Sequence, residues 1–447
     1  MVSSIGWMLT LLVVIVFVSI WAPWRWPSAP APRARSKPTP RPLKPRTPDD
    51  CPACHVAQPI RLPASTPPKP YSQVKGPRGR KKRVVTAGYA CPNPDCLYYA
   101  ITDDQIHALV GCGGHGHQEY IRDLKCQACQ TKLSVRYGTV LYRLKTPACR
   151  VGEVLSALAE GLSVGAAVRV FGHAEFTIRA WLTRAGLHAT SLHKQLFHNL
   201  TLRHIQLDEL CTKTRQSADA LWIWLAVDAH TKIIAVLNIG PRTQAMAYAV
   251  VHALVKALAP DCLPVFTSDG LKLYFYALTA HFGSWAETIG RQTHQWQVHA
   301  ELLYGQLTKH YHRRRLVRVE RRALLGSLDQ LTAALHAAGG SGKIQTAFVE
   351  RLNLTVRQGV TELTRRTWGL AQSPAELLLH LQWWRAYYHF ARPHASLDEP
   401  LAEPSLRGGR RLPQRYRRRT PAQAADITNH RWTIVELLSY PLPMTVG

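Results

Sequence analysis

Three acidic residues stand beside apolar runs in a chain that contains few acids. Asp208 lies in the strand-like run 205–210, Asp269 closes the apolar run 263–268, and Glu350 lies on an apolar-patterned stretch typical of a helix. Carboxylate oxygens are the ligands that hard divalent cations prefer. Two acids on strands and one on a helix therefore predict a site that holds two such ions for phosphoryl chemistry.

Two further acids compete for these roles. Glu209 is an alternative to Asp208, because successive residues of a strand point to opposite faces of the sheet. Asp228 also ends a predicted strand, but it opens a tight turn, so we expect it to cap that turn.

The Glu350 helix has a polar side and an apolar side. Asn353 and Arg357 follow Glu350 at helical spacing, so we expect them to project with it toward the ions and a phosphodiester. The apolar side that we expect to face the core comprises Phe348, Leu352, Val356 and Val360.

The composition indicates the kind of partner. The 447 residues carry 56 Lys and Arg against 28 Asp and Glu, a formal net charge of +28. A chain of this length is expected to form two or three domains. The excess of cations favours a polyanion, either nucleic acid or a membrane surface, because bound phosphates release condensed counterions.

The ten cysteines include three short-spaced pairs. The motifs Cys91–Cys96 and Cys126–Cys129 predict a structural zinc site of the ribbon type. Two groups leave the ligand assignment open, as one site with a swapped pair or as two sites: Cys51 with Cys54, and His115 with His117. We expect the other cysteines to be small buried apolar residues, namely Cys112, Cys149, Cys211 and Cys262.

Three short amphipathic stretches between residues 151 and 186 predict a helix-turn-helix. Thr177, Arg179 and Arg184 lie on the polar side of the last helix, where contacts to the major groove would form. The alternative is a small three-helix core without a ligand.

The pattern changes to strands at residue 204. Three strands, a helix at 243–258 and a fourth strand at 264–268 are predicted. The stretch before Glu350 is long, so an insertion is expected there, and it contains a basic run with Arg313, Arg314 and Arg315. We expect this run to lie near a DNA strand end, although such runs are often only solvated faces.

These motifs together resemble those of bacterial insertion-sequence transposases of the DDE type with a zinc ribbon and a helix-turn-helix. The residues that carry the resemblance are 206–209, 267–270, 350–357 and 388–394, and it covers roughly residues 50–400. It implies an α/β multidomain protein whose RNase H-like catalytic domain is a mixed five-stranded sheet with helices.

The resemblance also implies the activity. Asp208, Asp269 and Glu350 would hold two Mg²⁺ ions, with Mn²⁺ tolerated, for cleavage at transposon ends and transfer of the 3′-hydroxyl into target DNA. The implied partner is double-stranded DNA, comprising terminal inverted repeats and target, bound by a homodimer or larger assembly. The alternatives are a catalytically inactive, transposon-derived DNA-binding protein or regulator, and a membrane-anchored protein that gathers nucleic acid.

The chain ends differ in composition from the rest. Residues 6–22 are apolar and uncharged, near the lower limit for a membrane span, and basic residues follow them. A membrane anchor and an upstream extension of the reading frame both fit, so the expected location is cytoplasmic and nucleoid-associated, with tethering left open. The predicted segments are an apolar one at 1–22, a Pro- and Arg-rich linker at 23–48, a zinc-ribbon-like domain at 49–145, a helix-turn-helix at 150–190, the catalytic domain at 200–400 with an insertion at about 285–342, and a basic tail at 401–447.

Overall fold

A mixed six-stranded β-sheet carries the predicted acids. The structure is a computed structural model, and it describes residues 68–74, 84–287, 294–365, 367–405 and 414–442. The six strands are β4 (His204–Thr214), β5 (Ser217–Asp228), β6 (Ile234–Gly240), β7 (Val265–Ser268), β10 (Tyr304–His312) and β11 (Arg315–Leu325). Their spatial order is β11-β10-β7-β4-β5-β6.

The sheet is antiparallel at both edges and parallel in its centre. Strand β5 pairs antiparallel with both β4 and β6, whereas β7 runs parallel to β4 and to β10. The central strands are apolar on both faces because helices cover both sides, so Ile205, Leu207, Ile223 and Phe266 are fully buried. The four strands predicted from sequence are confirmed.

The expected count of five strands is wrong. Strand β11 pairs antiparallel with β10 along the basic run that the sequence analysis placed in an insertion. Residues 315–318 of β11 are exposed, and charged side chains on an edge strand hide the alternation by which strands are recognised. Much of the expected insertion at 285–342 is therefore sheet.

Helices connect and cover these strands. In chain order they are α1 (Tyr71–Val74), α2 (Ala148–Ala159), α3 (Val164–Phe171), α4 (Glu175–Leu196), α5 (Gln244–Ala257), α6 (Leu273–His281), α7 (Leu328–Ala337), α8 (Ala347–Gly359), α9 (Pro374–Ala386), α10 (Pro421–Ala424) and α11 (Ile434–Ser439). Helix α5 is the predicted crossover, and its N-cap Thr243 accepts a hydrogen bond from the Met246 amide.

The three predicted amphipathic helices share the main core with the sheet. They form α2, α3 and α4, and α4 runs well beyond the predicted end of the motif. Trp383 of α9 is buried and donates from Nε1 to the Leu155 carbonyl of α2 at 2.9 Å. Both Trp383 and the neighbouring Trp384 belong to the core.

A second, smaller core lies in the cysteine-rich part. Strands β1 (Leu109–His115), β2 (Ile121–Cys126) and β3 (Lys132–Ser134) form an antiparallel sheet. Leu109 and Leu124 are fully buried against the cysteines there. A further two-stranded sheet joins β8 (Gly283–Glu287) to β9 (His294–Val298).

The C-terminal residues 414–442 are folded. Strand β12 (Glu399–Ser405) pairs with β13 (Gln414–Arg417), and Leu437 and Leu438 of α11 are buried in the main core. The ring of Trp432 stacks on Phe390 with centroids 4.3 Å apart. The expected basic tail at 401–447 therefore contains elements that pack on the core.

Two of the four single cysteines differ from the expectation that they are buried. Cys149 and Cys211 are exposed, while Cys112 and Cys262 are half-buried. Cys149 lies in the first turn of α2 and Cys211 past the middle of β4, and each lies on the solvent side of its element. Residue type alone does not show which side of a helix or strand a cysteine occupies.

No helix within the described parts of the chain is long and apolar enough to cross a membrane. The apolar segment at residues 6–22 and the linker at 23–48 lie outside the described residues.

Candidate functional site

Parallel pairing of β4 with β7 brings two of the predicted acids together. Leu207 pairs with Ser268, so the next residues, Asp208 and Asp269, stand side by side where β7 ends. Carboxylate oxygens of Asp208, Glu209 and Asp269 all lie within 4.8 Å of one another. Three acids at this separation can hold a metal ion.

The electrostatics of this acid cluster favour a bound cation. Burial, and then the nearby carboxylate of Asp269, raise the pKa of Asp208 to about 7. Without a counter-charge, the ionised form of Asp208 is therefore disfavoured. A divalent cation would remove that penalty, so the residues present fit one.

Glu209 is buried on the other face of β4. Its Oε2 atom pairs with the Arg242 guanidinium at 3.0 Å, and burial raises its pKa. Its Oε1 atom is also buried and accepts no hydrogen bond of good geometry within the described chain. Both Asp208 and Glu209 thus remain able to contribute an oxygen ligand.

Glu350 lies near the cluster but outside it. It occupies the first turn of α8, and its charge adds to the rise in the pKa of Asp208. Both of its oxygens are held by Lys309 Nζ, at 2.5 and 2.6 Å, and Thr346 Oγ1 donates to Oε1 at 2.5 Å. The third predicted acid is therefore paired with a lysine.

Helix α8 is fixed to the central strand by two polar side chains. Asn353 Nδ2 donates to Asp208 Oδ2 at 2.7 Å. Gln206, which is fully buried, accepts from the Val349 amide at 2.9 Å and donates to the Gln345 carbonyl at 2.8 Å. The first contact orients a predicted ligand, and the others set the position of the helix.

Gln206 and Lys309 belong to the site, but the sequence analysis did not predict either of them as a site residue. Gln206 shares the face of Asp208, two positions away on a strand, and a glutamine in an apolar strand is the signal that could have found it. Lys309 lies in the same basic stretch as the arginines at 313–315, and nothing in the local sequence distinguishes it from its neighbours.

The remaining predictions for α8 are only partly met. Leu352, Val356 and Val360 are buried as expected. Phe348, however, is 36% exposed, and the Lys232 Nζ atom lies 3.5 Å from the centroid of its ring. The prediction for Phe348 is wrong, because Val349 occupies the core position instead.

Arg357 has a structural role in this arrangement. Its guanidinium donates to the carbonyls of Cys211 and Leu363, both at 3.0 Å. These hydrogen bonds connect α8 to β4 and to the turn that follows α8. The sequence analysis instead predicted that this side chain contacts a phosphodiester.

Asp228 caps its turn, as predicted. Its Oδ2 atom accepts from the amide and the hydroxyl of Thr231, both at 2.7 Å. Its Oδ1 atom accepts from the His204 amide at 3.1 Å. The side chain is fully buried; its bonds to Thr231 are local to the turn, and its bond to His204 joins the turn to the start of β4.

The four ribbon cysteines come together. The sulfur atoms of Cys91, Cys96, Cys126 and Cys129 lie within 4.8 Å of one another, with Cys91 to Cys129 at 3.5 Å and Cys96 to Cys126 at 3.7 Å. Four sulfurs in one cluster can bind zinc in a closed site.

The other candidate zinc ligands are not part of this cluster. His115 is exposed on β1 and its Nδ1 atom lies 3.1 Å from Asp123, and His117 is also exposed. Within the described residues the histidines thus form no second site with cysteines. Cys51 and Cys54 lie outside the described residues.

The predicted helix-turn-helix contacts have different surroundings. Arg179 is exposed and pairs with Glu175 at 2.8 Å, and Thr177 is half-buried. Arg184 donates to the Tyr142 carbonyl at 2.8 Å, which ties α4 to the preceding segment. Of the three, only Arg179 is exposed and pairs with a side chain of its own helix.

The basic run forms an exposed hairpin tip. Arg313 and Arg314 occupy the turn between β10 and β11 with positive φ angles of 45° and 67°, and Arg315 begins β11. All three side chains are exposed. They form a cationic projection, here called the arginine tip.

Comparison of the chain with protein-family models and with curated proteins found no match.

Proposed function

We propose that the chain is a DNA transposase of the DDE type, which cuts transposon ends and joins the freed 3′-hydroxyl to target DNA. The observation that carries this proposal is the adjacency of Asp208 and Asp269 on parallel central strands, beneath a helix that bears Glu350. Five of the six strands lie in the order β6-β5-β4-β7-β10, with β5 alone running against the other four, and this agreement with the order expected of an RNase H-like sheet supports the proposal.

The acids have the chemistry that such a reaction needs. Asp208, Asp269 and Glu350 would hold Mg²⁺ ions, which activate the attacking water or 3′-hydroxyl and stabilise the leaving oxygen when bound. The amide of Asn353 holds the carboxylate of Asp208 in place, and Gln206 anchors the helix that carries Glu350. The protein thereby supplies positioned oxygen ligands on rigid elements.

The remaining parts would recognise DNA. The four-cysteine cluster, proposed to hold structural zinc, and the helices α2–α4 precede the sheet, and the arginine tip projects from its edge. Double-stranded DNA would bind as terminal repeats and as target, and two ends held together require a homodimer or larger assembly. The charge of +28 supports a phosphate-rich partner.

The test is cleavage and strand transfer by purified protein on DNA that carries the sequences flanking the gene. With Mg²⁺ or Mn²⁺ we expect cuts at short inverted repeats and joined products, and with Ca²⁺ binding without products. Asp269→Asn is expected to remove the products, while Asp261→Asn, an exposed acid before β7, should retain them. Products from Asp269→Asn at the wild-type rate would refute the proposal.

One observation favours a second candidate, an inactive transposon-derived DNA-binding protein. Glu350 is paired with Lys309 and lies outside the acid cluster. Specific binding to the flanking repeats with no cleavage in Mg²⁺ or Mn²⁺ would favour this candidate.

A further inference from the structure

Lys309 lies at the edge of the acid cluster because of its strand. Strand β10 runs parallel to β7, with Gln306 opposite Ser268, so its following residues pass the end of β7 where Asp269 stands. From there the Lys309 side chain reaches Glu350 on α8, and its Nζ atom lies 2.5 and 2.6 Å from the two carboxylate oxygens.

This contact uses both oxygens that Glu350 could offer to a metal ion. Thr346 Oγ1 adds a further donor to Oε1 at 2.5 Å. A divalent ion bridging Glu350 to Asp208 or Asp269 would compete with the ammonium for this carboxylate, since two cations at one carboxylate repel each other at close range.

The displacement requires little free energy. The side chains of Lys309 and Glu350 are 31% and 44% exposed, and ion pairs this accessible to water contribute little to stability. The released ammonium stays tethered beside the acid cluster, where the scissile phosphate of a DNA substrate would lie.

We propose that the Lys309 ammonium pairs with the Glu350 carboxylate while the acids lack divalent ions. Once a divalent ion is bound to Glu350, the same ammonium binds a DNA phosphate. The proposal rests on the function proposed above. It assigns one side chain two successive partners of the same charge, a carboxylate and a phosphate.

Opposite effects on metal affinity and on reaction rate test the proposal. In the full-length, zinc-loaded protein without DNA, Lys309→Met should bind Mn²⁺ about two- to fivefold more tightly, because the competing cation is gone. Strand transfer by this variant at saturating Mn²⁺ should fall about tenfold or more, because a charged hydrogen bond to phosphate is lost. A merely structural role would not raise the affinity while lowering the rate.

Matched variants separate these effects from general damage. Lys309→Arg keeps the charge and should leave Mn²⁺ affinity within about twofold of wild type. Lys256→Met removes one exposed charge from the last turn of α5 and should change neither quantity. Free Mn²⁺ is measured by electron paramagnetic resonance, thermal unfolding checks the fold, and Lys309→Gln replaces the methionine variant if that one does not fold.

The outcomes distinguish the two proposals. Unchanged or weaker Mn²⁺ binding by the folded Lys309 variants overturns the competition, and an unchanged rate at saturating Mn²⁺ overturns the phosphate contact. If Asp269→Asn binds Mn²⁺ as tightly as wild type, the metal site itself is wrong and the function proposed above fails with it.

Discussion

Asn353 on helix α8 donates a hydrogen bond of 2.7 Å to Asp208 on strand β4, across the junction between the helix and the sheet. The bond joins an element that carries one predicted ligand to the element that carries another. The Oδ1 atom of the Asn353 side chain is buried and has no hydrogen-bond partner among the described residues. The geometry of the acid cluster therefore depends on a neutral side chain.

Replacing Asn353 should lower activity more than stability. In Asn353→Leu the Asp208 carboxylate loses its neutral donor and is free to turn, so we expect strand transfer to fall about tenfold or more. Specific DNA binding should stay near wild type. Single-turnover assays measure the effect, with Thr355→Ala as the control, a half-buried threonine of the same helix whose hydroxyl donates to the Arg351 carbonyl. Equal losses in both variants would contradict this role for Asn353.

Gln206 replaces a missing helix cap. The N-cap Thr346 makes no side-chain cap hydrogen bond, and the Gln206 side chain instead accepts from the amide of Val349 in the first turn of α8. Gln206→Leu should therefore lower the free energy of unfolding by about 2–3 kcal/mol, because it leaves buried polar groups unpaired. Urea denaturation measures the change. A loss below about 0.5 kcal/mol, the range of an exposed substitution, would show that the contact is dispensable.

The cysteine cluster should hold about one zinc ion per chain, the capacity of a closed four-sulfur site. Cys126→Ser should release that zinc and lower the melting temperature of the protein, whereas His115→Ala should retain it, since His115 lies outside the cluster. Metal content is measured by atomic emission. Unchanged zinc in Cys126→Ser would remove that residue from the ligand set, and two ions per chain would point to a second site that uses Cys51 and Cys54.

His204 should contribute a loss of stability in mild acid. This side chain is 4% exposed and its Nε2 atom lies 2.8 Å from Thr267 Oγ1. Burial lowers the pKa of His204 from 6.5 to about 4. Between pH 6.5 and pH 4 this histidine is therefore protonated in the unfolded chain but neutral in the folded protein. The contribution of neutral His204 is thus complete above pH 6.5 and is lost as the pH falls toward 4, by up to about 3 kcal/mol.

Substitution tests the source of that pH dependence. His204→Gln should lose less unfolding free energy than wild type between pH 6.5 and 4, while exposed His198→Gln should follow wild type. Denaturation curves at several pH values give the comparison. Parallel curves for His204→Gln and wild type would assign the acid sensitivity to other groups.

The arginine tip should contribute to the salt dependence of DNA binding. If Arg313, Arg314 and Arg315 each contact a phosphate, replacing all three with Gln should make the slope of log affinity against log salt shallower by about 2–3 units. Because these three side chains are exposed, replacing them should have little effect on the stability of the protein. Fluorescence anisotropy at several salt concentrations measures the slope, and an unchanged slope would place the tip away from DNA.

The sequence by itself determined the local features of this protein. Apolar runs located the four strands β4 to β7 and helix α5, because strand and helix periodicities are properties of contiguous residues. The four clustered cysteines followed from spacing that suits one tetrahedral ion.

Only the tertiary structure decided how distant residues pair. Lys309 meets Glu350 and Gln206 caps α8 because strands β10 and β4 present those side chains to a helix from elsewhere in the chain. The charged edge strand β11 and the buried Leu437 and Leu438 likewise owe their places to surfaces formed by other segments. Such pairings depend on the free energy of burying complementary surfaces, which no contiguous stretch of residues contains.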